Sequence, residues 1–321
     1  MTSAEPMTAA ARPCRIGIQL PEVERFVAWP EVIAMAQRAE AVGFDSLWLG
    51  DHLLYDLPDP SAGGGGGTIQ RGPWEVWTSL AAIAAVTSRI EIGPFVASTS
   101  FHAPAMLAKQ AATVDAISGG RLVAALGAGW NEREYTAFGF EYDQRVSRFE
   151  EAFTIIRTLL REHRIDFDGR FHQLRDCVID PPPVRPGGPP IMIGSISDRM
   201  LRIGLPHVDS WNVWWALYGN TAEGFAEVRE RVESTCREVG RDPAEVEATA
   251  AVYVQLDGGA GRVMGDLRGR QLFPVRGTQL EIAEQLAGFA AAGAAHLQLV
   301  VDPITEASIE HLGGVLDLLD G

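Results

Sequence analysis

The chain has 321 residues, of which 46% are hydrophobic and 21% charged, so it carries enough apolar mass for a full core and is not a disordered polymer. Its net charge of −15 excludes nucleic acid or an anionic membrane surface as the main partner. Lys109 is the one lysine among 27 basic residues, which reads as the codon bias of a GC-rich genome rather than as chemistry.

The cysteines Cys14, Cys177 and Cys236 are odd in number and widely spaced, which predicts neither a disulfide framework nor a zinc site and fits a reducing cytoplasm. The first residues lack the apolar core of a signal peptide, and no stretch approaches the roughly 20 uninterrupted apolar residues of a membrane span. Residues 1–14 are expected to form a flexible N-terminus and residues 15–321 one domain, in the cytoplasm.

Taken in order, residues 15–20 (RIGIQL) predict a first strand, stopped by Pro21. A helix over 30–42 has proline in its first turn, where the missing N–H costs nothing, and ends at Gly43. Residues 46–50 (SLWLG) predict a second strand that delivers Asp51 and His52 at its end. The loop 53–72 holds Pro58, Pro60 and the glycines Gly63 to Gly67. Because it follows a strand, it is expected to cover the substrate as a lid. A helix over 74–88 carries Trp77, Leu80, Ala84 and Thr87 on one stripe. Residues 90–97 predict a third strand, whose start Pro94 is expected to make irregular, with Ser98, Thr99 and Ser100 at its end. A helix over 104–117 puts Leu107, Ala111, Val114 and Ile117 in register.

Residues 121–126 predict a short buried strand broken by Gly127-Ala128-Gly129, where a ligand can approach the backbone with no Cβ in the way. Trp130, Asn131, Glu134 and Tyr135 follow at once. Ser147 and Glu150 have capping-box spacing ahead of a helix that buries Phe149, Phe153, Ile156 and Leu160. Residues 164–190 are a second insertion, with a hairpin turn at Asp168-Gly169 and a proline run from Pro181. A strand at 191–193 opens onto Gly194-Ser195-Ile196-Ser197 and a helix from Asp198. A strand at 210–215 (SWNVWW), a helix at 221–239 and a strand at 249–256 lead to a third insertion, 257–277. Thr278 and Glu281 form another capping box, over Ile282, Leu286 and Phe289. A strand at 296–301 and a helix at 305–319 close the chain.

Eight strands alternating with eight helices predict an α/β fold of the (β/α)8 TIM-barrel type with insertions at its C-terminal mouth. An open doubly wound sheet is the alternative, but no GxGxxG follows the first strand. A barrel site gathers the residues just after each strand. These are Gln19, Asp51, His52, Ser98, Thr99, Trp130, Asn131, Glu134, Tyr135, Gly194, Ser195, Ser197, Trp211, Asn212 and Trp215. Asp51 and Glu134 are the plausible carboxylate pair for hydrolysis, but stacking surfaces surround them. Without HxH or HExxH a metal hydrolase has little support, and no metal is expected. Aromatic walls, hydroxyls and one imidazole suit a flat, polar-edged cofactor. Gly194-Ser195 ahead of a helix reads as a phosphate cradle, with Arg199 or Arg202 to add charge, or as a plain N-cap. His52 is assigned as proton donor or base with Asp51 orienting it, the other reading being a structural histidine at a strand end.

The segments GFDSLWLGDHLLY, TSFHAPAMLAKQAATVDAISGGRLVAALGAGWNEREYTAFGF, RVSRFEEAFTIIRTLL, IMIGSISDRMLRIG and VDSWN resemble the bacterial luciferase-like superfamily. More narrowly they resemble its actinobacterial branch of flavin- or coenzyme F420-dependent oxidoreductases. The resemblance implies a TIM barrel that binds FMN or F420 at its mouth, in a homodimer. Asp51-His52 matches the Asp-His pair of the F420-dependent dehydrogenases, whose histidine handles the substrate proton. A non-proline cis peptide is implied near Phe95-Val96, behind the ring. Gly194-Ser195 matches the phosphate loop, although Ser195, Ile196 and Ser197 depart from its usual pair of glycines followed by a basic residue or glycine. His102-Ala103 stands where close relatives usually have Arg-Asn. Trp130 stands where some sugar-phosphate dehydrogenases carry a catalytic glutamate, which argues against that substrate.

The expected cofactor contacts are therefore Gln19, Phe95, Val96, Ser98, Trp130, Asn131, Tyr135, Gly194, Ser195 and Trp211, with His52 and Asp51 catalytic. The expected function is F420-dependent hydride transfer to or from a small organic substrate. An FMN-dependent monooxygenase fed by a separate reductase is the second reading, and a non-catalytic ligand-binding barrel the third.

Overall fold

A computed structural model of the chain describes residues 12–59, 67–261 and 273–321. Gly63 to Gly66 and the centre of the third insertion lie outside the described residues, as do residues 1–11 of the expected flexible N-terminus. Of the residues expected there, Cys14 is buried and Arg12 pairs with both Asp45 and Asp320.

The barrel strands are β1 (Arg15–Gln19), β2 (Ser46–Leu49), β3 in two pieces (Glu91–Pro94 and Ala97–Ser98), β4 (Ala124–Gly127), β5 (Ile191–Ile193), β6 (Ser210–Val213), β7 (Glu247–Gln255) and β8 (His296–Asp302). Every neighbouring pair is parallel, running β3-β2-β1-β8-β7-β6-β5-β4. The ring closes on the two pieces of β3: Leu49 is paired with Pro94 on one side, and Ile92 with Leu122 and Ala97 with Leu126 on the other. Pro94 was expected to disturb the start of this strand; the strand instead starts regularly and is interrupted just after Pro94, at 95–96.

Around the ring lie α1 (Trp29–Ala41), α2 (Val76–Val86), α3 (Pro104–Ser118), α4 (Glu132–Phe138), α5 (Arg145–Glu162), α6 (Asp198–Gly204), α7 (Ala222–Glu238), α8 (Gln279–Ala291) and α9 (Glu306–Asp320). Alternation sorts the strand side chains, so Ile16 and Ile18 of β1 meet the helices while Gly17 and Gln19 point inward. The barrel centre is filled by Trp48, at 1% exposure. A Cβ on Gly17 would lie 2.7 Å from the indole Nε1, and one on Gly93 would lie 2.7 Å from Cζ3. Those two strand glycines are therefore the room that the tryptophan occupies.

Two short networks pair most polar atoms of the barrel floor, with Gln298 Nε2 left buried without a partner. Trp48 Nε1 donates to Ser46 Oγ at 2.7 Å, and that hydroxyl meets His296 Nε2 at 2.7 Å. Asn212 Nδ2 donates to Thr249 Oγ1 and to Gln298 Oε1, both at 2.8 Å.

The Thr278–Glu281 capping box forms as expected. The Ser147 box does not. α5 starts at Arg145 behind Gln144, and Ser147 Oγ instead accepts from Arg199 Nη2 at 2.9 Å, beside the Glu150 carboxylate. Ile117 is 45% exposed, because the buried face of α3 runs through Leu107, Ala111, Val114 and Ser118. The first insertion is a hairpin, Tyr55–Pro58 against Thr68–Arg71, and the second pairs Arg164–Asp168 with Gln173–Val178 across the expected turn. No helix among the described residues is long and apolar enough to cross a membrane.

Candidate active site

At the C-terminal end of the barrel lies a cavity of about 510 Å³, within the range of small-molecule sites. Its floor comes from the break in β3. Phe95 and Val96 are joined by a cis peptide bond, and both side chains line the cavity. Glycines make room for Val96. A Cβ on Gly127 would lie 2.8 Å from Val96 Cγ2, and one on Gly194 would lie 2.6 Å from Cγ1. The open approach expected at Gly127 is thus filled by a neighbouring side chain, which turns bare backbone into an apolar shelf.

His52 stands on one wall. Its Nδ1 lies 3.0 Å from Glu134 Oε2 and 3.1 Å from Oε1. Glu134 is 1% exposed, and its Oε1 also accepts the backbone N–H of Leu53 at 2.5 Å and of Leu54 at 3.2 Å. A carboxylate accepts only, so it fixes the tautomer with hydrogen on Nδ1 and leaves Nε2 as the ring nitrogen open to chemistry. Burial opposes a charge on His52. The Glu134 hydrogen bond, with the charges of Glu22, Glu134 and Asp51, outweighs it and holds the imidazole pKa above its ordinary value. Tyr55 and Trp130 flank the ring, with centroids at 4.7 and 5.7 Å.

The partner expected for His52 was Asp51, and the structure assigns that role to Glu134. The reason is local geometry: the two residues are adjacent at the end of an extended strand, where successive side chains point to opposite sides. Asp51 Oδ2 accepts the Ser98 N–H at 2.8 Å and His102 Nε2 at 3.2 Å.

Of the expected contacts, Phe95, Val96, Ser98, Trp130, Gly194 and Ser195 line the cavity together with Asp51 and His52. The others stand behind the wall. Tyr135 is fully buried and donates its hydroxyl to Ala128 O at 2.8 Å. Trp211 faces outward and stacks on Phe225 of α7 at 5.9 Å. Gln19 donates to Glu22 Oε1 at 2.6 Å, and Asn131 to Leu54 O at 3.1 Å. Trp215 is buried and stacks on Tyr253.

Among the lining residues that were not foreseen, two bear on what the cavity can hold. Trp214 lines the cavity and meets Phe95 edge-on at 5.9 Å. The signal was available, since Asn212 and Trp214 share the inward parity of β6. The other is Arg145. Its guanidinium lies 3.7 Å over the Tyr142 ring, and its Nε is buried without a hydrogen-bond partner. It lines the cavity together with Ser195 and Ser197, whereas Arg199 and Arg202 are tied to Glu150 and Glu238. Reading a helix start at Ser147 hid it. No group of three or more metal-ligating side chains occurs among the described residues.

This mouth, shelf and dyad sit in a sequence whose residues 13–272 match the model of the luciferase-like monooxygenase family. The chain belongs to that family. Luciferase-like proteins are oxidoreductases, monooxygenases among them. The chain is 30% identical over 213 residues to the pyrimidine monooxygenase RutA of Stutzerimonas stutzeri, covering 65% of this chain and 56% of that one. It is equally identical, over 223 residues, to the phthiodiolone/phenolphthiodiolone dimycocerosates ketoreductase of Mycobacterium tuberculosis, covering 66% and 57%. The alignments thus span little more than half the length of these relatives. In fold, it is similar to an F420-dependent secondary alcohol dehydrogenase in complex with an F420–acetone adduct, with TM-score 0.77, 18% identity and coverage of 95% and 99%. Riboflavin lyase RcaE, with modified FMN and riboflavin, gives TM-score 0.76, 17% identity and coverage of 95% and 91%.

Proposed function

We propose that this luciferase-like protein is a coenzyme F420-dependent oxidoreductase that moves a hydride to or from a small organic substrate, with His52 handling the substrate proton. The observation that carries the reading is the His52–Glu134 pair on the wall of a cavity floored by Phe95 and Val96. The residues present suit a planar cofactor with an anionic tail. Phe95, Val96 and Trp214 offer an apolar surface to a ring system. Arg145, with its orphaned Nε, and the Ser195 hydroxyl would take a phosphate. Bound there, the deazaflavin supplies a two-electron hydride donor or acceptor.

The chain's own residues do the rest. Glu134 holds the His52 Nδ1–H, and Nε2 faces the substrate oxygen, accepting its proton when an alcohol is oxidised and donating one when a carbonyl is reduced. The ketoreductase among the 30%-identical relatives supports this direction of chemistry.

A second reading, an FMN-dependent monooxygenase served by a separate reductase, is favoured by the pyrimidine monooxygenase relative. The third, a barrel that binds its ligand without turnover, predicts binding and no reaction. Tryptophan quenching of the purified protein with F420 and FMN in parallel separates them. The expected result is F420 bound at about micromolar affinity or tighter, near −8 kcal/mol, with FMN much weaker. The reverse order would replace the first reading by the second, and tight F420 binding with no turnover of any alcohol or ketone would favour the third.

A further inference from the structure

With Glu134 orienting His52, Asp51 has no part in that dyad, yet it stands in the same cavity. Its side chain is 3% exposed. Both of its hydrogen bonds fall on Oδ2, from Ser98 N and His102 Nε2, and Oδ1 has no partner. The side chain is otherwise enclosed, but Oδ1 is not sealed in the wall: it opens on the cavity and can accept a hydrogen bond from a ligand there. The surroundings are specific as to what that could be. Glu22 and Glu134 also line this cavity, so three carboxylates share it with the His52 imidazole, and His102 caps the far oxygen of Asp51; Arg145, on α5, is the cavity's one cationic side chain besides histidine among the described residues. Tyr55 and Trp130 turn aromatic surfaces to the same space, beside His52. Aromatic faces together with carboxylates in a desolvated pocket are the recognition chemistry of an ammonium group.

We propose that the substrate of this site is a cationic amine whose ammonium group is held by Asp51 Oδ1 between Tyr55 and Trp130. The ammonium is a binding handle, and the carbon that exchanges a hydride lies elsewhere in the substrate. The raised proton affinity of His52 reports the same local preference for positive charge. The inference rests on the cavity being the substrate site of the proposed function, and it names the substrate class that function leaves open.

Equilibrium binding tests it without turnover. Benzylamine, benzyl alcohol and benzoate are close in shape and differ in charge. Their affinities for the wild-type protein, read by tryptophan fluorescence or calorimetry near neutral pH, should fall in that order. Benzylamine should lead by roughly 10- to 100-fold, the worth of one hydrogen bond to a charged group. Asp51→Asn should abolish the lead of the amine over benzyl alcohol measured on the same variant. Equal affinities, or a preference for the neutral or anionic compound, would overturn the proposal. So would an Asp51→Asn protein that keeps the amine preference. If Asp51→Asn does not fold, the wild-type order decides alone. Cofactor binding is read separately. Failure of F420 and FMN to bind would sink the proposed function, whereas an absent amine preference in a cofactor-binding protein would sink this inference only.

Discussion

Replacing Glu134 by glutamine exchanges one carboxylate oxygen for an amide nitrogen and leaves the shape of the side chain unchanged. In the structure Oε1 serves the Leu53 and Leu54 N–H groups, and Oε2 is the nearer oxygen to His52 Nδ1. The amide oxygen can keep both backbone bonds, so the wall of the cavity should survive. The amide nitrogen then faces Nδ1 as a donor, and His52 must present a lone pair there and carry its hydrogen on Nε2. The variant loses a charge-assisted bond worth about 1.5–3 kcal/mol and inverts the tautomer that the proton transfer needs. At about 1.36 kcal/mol per tenfold, the rate of hydride transfer should fall by roughly 10- to 150-fold.

A second readout follows from the sign of the His52 shift. Its proton affinity is raised in the fold, so its contribution to stability is complete below the unfolded value near 6.5 and is lost as pH rises through the folded value. Glu134→Gln should remove that step from a plot of unfolding free energy against pH. A folded Glu134→Gln protein with wild-type rate and an unchanged stability profile would refute the dyad.

Gly194→Ala should push its new methyl into Val96, costing about 1–3 kcal/mol of stability; pairing it with Val96→Ala, which removes the two methyls it meets, should recover most of that loss, as thermal unfolding would report. His296 acts opposite to His52, because burial, aided by the Arg15 charge, pushes its pKa well down. Unfolding free energy should therefore drop below about pH 6.5, by up to roughly 1.36 kcal/mol per pH unit for this group, and His296→Gln should flatten that slope. A thiol reagent should modify Cys177 in the folded protein. Cys14, whose thiol burial pushes up to about 12, and the buried Cys236 should react only after unfolding, as mass spectrometry of labelled peptides would show.

The sequence by itself determined the barrel. Apolar runs such as RIGIQL and SLWLG alternate with 3.6-period helices, and this alternation has one closed solution, so the strand ends that make the mouth could be named residue by residue. It also put His52 at the mouth, where it lines the cavity, and the family resemblance it carries implied the cis bond found at Phe95-Val96. What it could not decide was who meets whom at the mouth. Adjacent residues invite pairing, so Asp51 was matched to His52; yet an extended backbone turns neighbours apart, and the true partner, Glu134, arrives from 82 residues away along the chain. Tyr135 and Trp211 were expected among the cofactor contacts, but Tyr135 turns its hydroxyl to Ala128 O and Trp211 stacks on Phe225 of α7, because the parity of a strand or turn is invisible until the strand is registered against its neighbours. Arg145 escaped for a related reason. A cap is settled by competing tertiary contacts, and Ser147 was taken by Arg199. Periodicity is a local property and survives in one dimension, whereas hydrogen-bond partners across a barrel mouth are fixed only when eight strands close.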